Sequence, residues 1–108
     1  PVSTINRLKV QSRALATFSV ADIGVMTGLF QDATAGALAA AFGTTSTTAG
    51  AVNSVIDHFM VSGTTSATTF RIRVGPASAG TITFNGASGG RFFGGVANSF
   101  LRVEEIHA

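Results

Sequence analysis

The segment GTITFNGASGGRFFGGVANSFLRVEEI, residues 80–106, decides the fold that we expect for this chain. Two alternating runs, GTITF and FLRVEEI, flank a segment that holds five glycines, an arginine and two adjacent phenylalanines. Alternation with a period of two is typical of half-buried antiparallel strands. Glycine between strands usually serves turn geometry, and the Walker pattern G-x-x-x-x-G-K-[ST] is absent. We therefore expect the glycines to turn the backbone between two strands and not to cradle a phosphate.

The same alternation recurs along the chain. INRLKVQ and TTFRIRV place apolar residues on one parity and basic or polar residues on the other. VMTGLF and SVIDHFMV are apolar on both parities, which predicts strands that are covered on two sides. These patterns predict an all-β, antiparallel sandwich.

One segment is ambiguous. DATAGALAAAF, residues 32–42, has helical propensity, but Gly36 would cost a helix about 1 kcal/mol relative to alanine. The segment is also shorter than the roughly 12 residues at which isolated helices become marginal. We expect a turn at residues 31–34 followed by an alanine-rich strand. Residues 43–50, 62–68, 75–80 and 85–90 have the composition of turns and loops.

The composition limits the function classes. Of the 108 residues, 45% are hydrophobic and only 11% are charged, against about 25% charged in ordinary globular domains. A monomer of this kind would expose large apolar areas, which predicts self-association or docking on a larger particle. The seven basic residues are dispersed, so we expect no nucleic-acid partner. The apolar stretch AGALAAAF is too short for a membrane span of about 20 residues, and we expect no membrane insertion.

No catalytic, cofactor or metal site is predicted. Asp57 and His58 are adjacent and would point to opposite faces of a strand, and five acidic residues without a marked pair argue against a glycosidase. Glu104, Glu105 and His107 crowd the C-terminus, but we favour a structural ion pair over a metal site. We expect Glu104 to pair with an exposed arginine such as Arg71 or Arg73 on a neighbouring strand. Glu105 shares its parity with apolar residues and needs an arginine or several backbone N–H groups.

Residues 24–106 also resemble a known family. GVMTGLFQDATAGALAAAF, GTTSATTFRIRVGPASAGTITFNG and GGRFFGGVANSFLRVEEI follow one another in this order. Together they are similar to the C-terminal jelly-roll module of phage tail-fibre, head-fibre and related virion proteins. That module resembles the C1q and tumour-necrosis-factor trimers in architecture.

The resemblance implies a homotrimeric, antiparallel jelly-roll β-sandwich without enzymatic activity, displayed on the surface of a phage or phage-like virion. Members often carry a few dozen residues before the INRLKV strand. It therefore implies one jelly-roll domain, residues 1–108, whose first strands a preceding segment supplies. The motif positions of the family fall on Phe30, Phe70, Ile72, Phe84, Phe93, Gly94, Gly95, Leu101, Val103, Glu105 and Ile106.

Two functions follow from the resemblance. The first is a fibre or spike tip that contacts a host cell-surface glycan or protein through exposed loops, with residues 43–50 and 62–68 as candidates. The second is a capsid decoration, head-fibre or collar protein that stabilises the particle without binding a receptor. In both, the partners are other copies of the chain and other tail or capsid proteins, and no cofactor is needed.

Overall fold

The computed structural model describes residues 1–45, 50–87, 90–91 and 97–108. In these ranges the chain forms strands and connections and no helix, so the all-β prediction is confirmed. The strands are β1 (Arg7–Phe18), β2 (Ile23–Gln31), β3 (Ala39–Thr45), β4 (Gly50–Val61), β5 (Phe70–Pro76), β6 (Ile82–Phe84), β7 (Gly86–Ala87), β8 (Gly90–Arg91) and β9 (Phe100–Ile106).

Two antiparallel sheets make up the fold. In the first sheet, β1 pairs along its whole length with β4 on one side. On its other side, β1 pairs with β9 over residues 7–13 and with β6 over residues 16–18. In the second sheet, β2 lies between β3 and β5. The chain therefore leaves the first sheet after β1, forms β2 and β3, and returns as the neighbour of β1.

The sheets pack face to face. One buried cluster joins Val10 and Ile56 of the first sheet to Leu29 of the second. Another cluster joins Phe18 and Val52 to Val25. These residues occupy alternate positions of their strands, as the period-two pattern predicts, because successive strand side chains point to opposite faces. The core thus lies between the sheets.

The two strands with apolar residues on both parities were predicted to be covered on both sides, and this prediction is wrong for the single chain. In β4, the side chains of Val55, Phe59 and Val61 point away from the second sheet and are exposed. In β2, Met26 is likewise exposed. Sequence periodicity reports that a face is apolar and does not report what covers it.

The predicted turn and alanine-rich strand are both confirmed. The backbone N–H of Thr34 donates to the carbonyl of Gln31 over 3.1 Å, and Asp32 has a φ of 49°. Asp and Asn tolerate this left-handed conformation better than most residues. The strand then begins at Ala39 and lies beside β2.

The glycine segment begins as a tight two-stranded ribbon of β7 and β8. A Cβ atom on Gly86 would overlap the backbone carbonyl of Gly90, so the two strands approach as only glycine permits here. The described part of the segment therefore agrees with the predicted turn. Phe93, Gly94 and Gly95 lie outside the described residues, as do residues 46–49 of the predicted loop at 43–50.

Candidate interaction surfaces

The outward side of the first sheet, called here the first outer face, carries large apolar side chains. Its β4 contribution is Val55, Phe59 and Val61, with 63%, 57% and 56% of their surface exposed. Phe100 and Ile106 of β9 lie on the same face and are also exposed. Clusters of exposed apolar residues commonly mark interaction sites, so this face is a candidate interface.

Cations lie over the aromatic rings of the first outer face. The Lys9 Nζ atom is 5.8 Å from the centroid of the Phe59 ring. The guanidinium carbon of Arg13 is 5.6 Å from the centroid of Phe100. At exposed sites such contacts contribute about 0.5–1 kcal/mol each. They cover part of each ring and leave the face mixed in character, with apolar rings between positive charges.

The outward side of the second sheet, called the second outer face, carries fewer large exposed apolar side chains than the first outer face among the described residues. Met26 and Phe42 are its exposed large apolar residues among those described. Phe30 is half-buried there, and the guanidinium carbon of Arg73 is 5.3 Å from its ring centroid. A shallow depression lies beside these residues, above Gly28. Arg73 is the titratable residue among the described residues that line it.

The carboxylate of Glu105 is tied to the N-terminal segment. Its Oε1 atom accepts hydrogen bonds from the side-chain amide of Asn6, at 2.9 Å, and from the backbone N–H of Val2, at 2.7 Å. These two donors, the Asn6 amide first, lower the pKa of Glu105 below its ordinary value of 4.5 because they stabilise the charged form. Of the two kinds of partner expected for Glu105, the structure has backbone N–H groups, together with the Asn6 amide, and no arginine contacts the carboxylate among the described hydrogen bonds.

Asn6 is the residue of this cluster that the sequence did not reveal. It is almost fully buried, and its Oδ1 atom accepts a hydrogen bond from the backbone N–H of Ala108 at 3.1 Å. Its backbone carbonyl accepts another from Ser62 at 2.8 Å, and its Nδ2 atom lies 3.4 Å from Nδ1 of His107. Asn6 thus joins both ends of the chain and the end of β4. These contacts are structural.

The predicted partner of Glu104 is wrong. Glu104 lies opposite Lys9 in the β1–β9 ladder, whereas Arg71 and Arg73 belong to the second sheet. The strand pairing decides this neighbour, and the alternation alone could not.

Asp57 and His58 do point to opposite faces, as predicted from their adjacency. Asp57 is exposed on the first outer face, while His58 is half-buried on the inner side of β4. The two side chains therefore do not form a catalytic pair with each other.

The family's motif positions fall in different parts of the molecule. Phe70 and Ile72 point inward from β5 and pack against the first core cluster. Phe84, Leu101 and Val103 share the inward side of the first sheet with buried residues of β1, yet 47%, 39% and 46% of their surface remains exposed. Phe30 and Ile106 lie on the outer faces. The motif residues therefore divide between core, outer faces and one uncovered inner side.

Of the two candidate loops, the one at residues 62–68 lies entirely within the described residues and contains neither strand nor helix. Ser62 is buried, and its hydroxyl donates to the carbonyl of Ser3. Gly63 and residues 65–67 are exposed. The loop is thus anchored at its start and open to solvent beyond it.

No group of three or more His, Asp or Glu side chains able to hold a metal ion occurs among the described residues. Within the same ranges there is also no helix long and apolar enough to cross a membrane. Comparisons of the chain with protein-family models, with curated proteins and with solved structures gave no significant match. The candidate surfaces are therefore the features from which a function can be argued.

Proposed function

We propose that the chain is a structural module of a phage or phage-like virion, which assembles as a trimer at the tip of a fibre or spike and contacts the host surface. The observation that carries the proposal is the first outer face. Fully covering a large apolar side chain contributes about 1.5–3 kcal/mol. The five exposed apolar residues of this face would give a trimer a substantial driving force.

The topology supports the jelly-roll part of the proposal. β1 and β4 are neighbours in one sheet, while β2 and β3, which separate them in sequence, form part of the other. β5 then joins the second sheet and β9 the first. Such alternation of the chain between two antiparallel sheets is what a jelly roll requires.

The attachment part of the proposal rests on exposed loops on a rigid sandwich, where recognition residues commonly lie. The loop at residues 62–68 meets this description, because its first residue is buried and residues 65–67 are exposed. Its serine, threonine and alanine side chains can bind a polar surface through hydrogen bonds and small apolar contacts.

The assembly is tested by the mass of the purified chain in solution. We expect a species of about 33 kDa, three times the 10.9 kDa of one chain, by light scattering or sedimentation. A stable species of one chain mass across the working concentration range would contradict the trimer.

The place of the chain on the particle tests the function. In a cryo-EM map of the intact virion, the proposal expects a threefold knob at a distal, solvent-facing end. Position between capsid or tail subunits would instead support a decoration or collar role and would contradict host attachment.

A further inference from the structure

The depression on the second outer face has a floor of small residues. Gly28 lies opposite Ala40 of β3 on one side and opposite Arg73 of β5 on the other, and these positions share the outward side of the sheet. In the next outward row, Met26 lies opposite Gly75. Because Gly28, Ala40 and Gly75 carry little or no side chain, a hollow of about 380 Å³ remains above them. This volume lies within the roughly 300–1,000 Å³ of small-molecule sites.

The walls of the depression are apolar. The Phe30 ring folds back along β2, since a Cβ atom on Gly28 would lie 2.9 Å from Cε2 of that ring. Met26 and Pro76 add further apolar wall. Among the described residues of the lining, Thr27 carries the one side-chain hydroxyl, and this side chain is buried in the core. A ligand rich in hydroxyl groups would leave them without partners, which is costly, so the walls favour an apolar body.

The Arg73 guanidinium is the charged group of the depression, and it is available to an anion. Its central carbon lies 5.3 Å from the centroid of the Phe30 ring. Among the described residues, no hydrogen bond or ion pair occupies its N–H groups, whereas Arg71 of the same strand donates to the carbonyl of Asp32. A planar guanidinium can contact an aromatic ring and still present its fork of donors to a carboxylate. Two parallel hydrogen bonds of this kind give both affinity and orientation.

We propose that this depression binds a small aromatic carboxylate, whose ring lies over Gly28 and Ala40 against Phe30 and whose carboxylate accepts hydrogen bonds from Arg73. The charge selects an anion, the apolar walls select an aromatic body, and the small floor residues give that body room. The inference does not rest on the proposed virion function. The depression also lies on the other sheet from the first outer face, so a trimer formed through that face would leave it accessible.

Three probes test the proposal on the full chain. Naphthoate carries the charge and the ring, its neutral amide keeps the ring alone, and glucuronate keeps the carboxylate on a body rich in hydroxyls. The readout is the shift of the backbone amide resonances of Gly28, Ala40 and Gly75 in isotope-labelled protein at neutral pH. For naphthoate we expect a dissociation constant on the order of 1 mM. The amide and glucuronate should each bind at least about tenfold more weakly.

Two matched pairs of variants assign the binding to this depression. Arg73→Gln should weaken naphthoate binding by about tenfold or more and leave the binding of the amide unchanged. Arg71→Gln, at an outward position of the same strand, should change neither. Ala40→Leu should fill the hollow and weaken both naphthalene probes. Ala51→Leu, at an exposed position of β4, should weaken neither, and the thermal midpoint of each variant shows whether it is folded.

Four results would overturn the proposal. Naphthoate could leave the three amides unshifted at about ten times the expected constant, or its neutral amide could bind equally well, which would remove the role of the charge. Arg71→Gln could weaken naphthoate binding as much as Arg73→Gln, which would indicate general attraction to a basic surface. Glucuronate could bind more tightly than naphthoate, which would assign the depression to a sugar.

Discussion

Asn6 shows what a single side chain does in this fold. It is buried at the point where both chain ends meet, and it uses its amide as donor and as acceptor. The sequence offers no signal for this role, because an asparagine before a strand is also an ordinary turn residue. Its importance follows from tertiary contacts with residues about 100 positions away.

Replacement of Asn6 should be costly. Asn6→Ala removes the donor to Glu105 and the acceptor of Ala108 at an almost fully buried position, and an intramolecular hydrogen bond contributes about 0.5–1.5 kcal/mol. We expect the free energy of unfolding, measured by urea titration, to fall by about 2 kcal/mol. Asn53→Ala, at an exposed position of β4, should change it by no more than about 0.5 kcal/mol. Equal effects would contradict the role of Asn6.

The Glu105 carboxylate should make the free energy of unfolding depend on pH. The pKa of its carboxyl is lowered in the folded protein by the Asn6 amide and the Val2 N–H. The contribution of Glu105 to the free energy of unfolding is therefore complete above the ordinary pKa of 4.5. It is lost as the pH falls below 4.5 and through the lower pKa that the carboxyl has in the folded protein. We expect Glu105→Gln to lessen the drop in unfolding free energy below pH 4.5. Glu104→Gln, on the same strand, should retain the Glu105 contribution, and an identical profile for both variants would contradict this assignment.

At the scale of elements, the alternation of apolar and polar residues was sufficient to predict β1, β5 and β9, and the glycine and short length of residues 32–42 predicted the turn and strand at β3. The alternation did not predict that the outer side of β4 is exposed. A strand face that packs on a second sheet and one that could pack on another molecule carry the same kinds of apolar residue. The alternation also could not assign the neighbour of Glu104, since strand pairing depends on the path of the chain through both sheets. Periodicity identifies strands and leaves their partners open.

The β7–β8 ribbon provides an element-scale prediction. A methyl group on Gly86 would overlap the carbonyl of Gly90, and overpacking of this kind costs about 1–3 kcal/mol. We expect Gly86→Ala to lower the thermal midpoint by several degrees. Gly36→Ala is the matched control, because no atom lies within 4 Å of the added methyl group. If the Gly86 variant is as stable as the Gly36 variant, the close approach of Gly86 to the Gly90 carbonyl does not require a glycine at this position.

At the scale of the whole molecule, the low charge content and the uncovered apolar faces describe the same property. The sequence predicted that the chain associates, but it could not say through which surface, because the outward and inward apolar residues of a strand look alike in a sequence. The structure separates them into a first outer face, a second outer face and the inward side chains of Phe84, Leu101 and Val103, which remain partly exposed. Each can be changed independently.

The proposed trimer should depend on the first outer face. Phe59→Ser removes an exposed ring from that face and Phe42→Ser removes one from the second. Burial of the exposed part of each ring would contribute roughly half or more of the about 1.5–3 kcal/mol that full burial of such a side chain gives. We expect Phe59→Ser to weaken the trimer by at least about tenfold in the dissociation constant and Phe42→Ser to leave it unchanged, measured by sedimentation equilibrium. A reversed order would place the interface on the second sheet.

The closeness of the two chain ends has a mechanical consequence. Arg7 and Ile106 form the last pair of the β1–β9 ladder at the end where Asn6 joins the termini. A pulling force applied between Pro1 and Ala108 would act across that ladder, parallel to its hydrogen bonds. The load would break these hydrogen bonds one after another, beginning at Arg7, instead of acting on all of them at the same time. The module should therefore yield at low force when it is held by its two ends, and a particle that uses it under tension would have to transmit the load through another part of its surface.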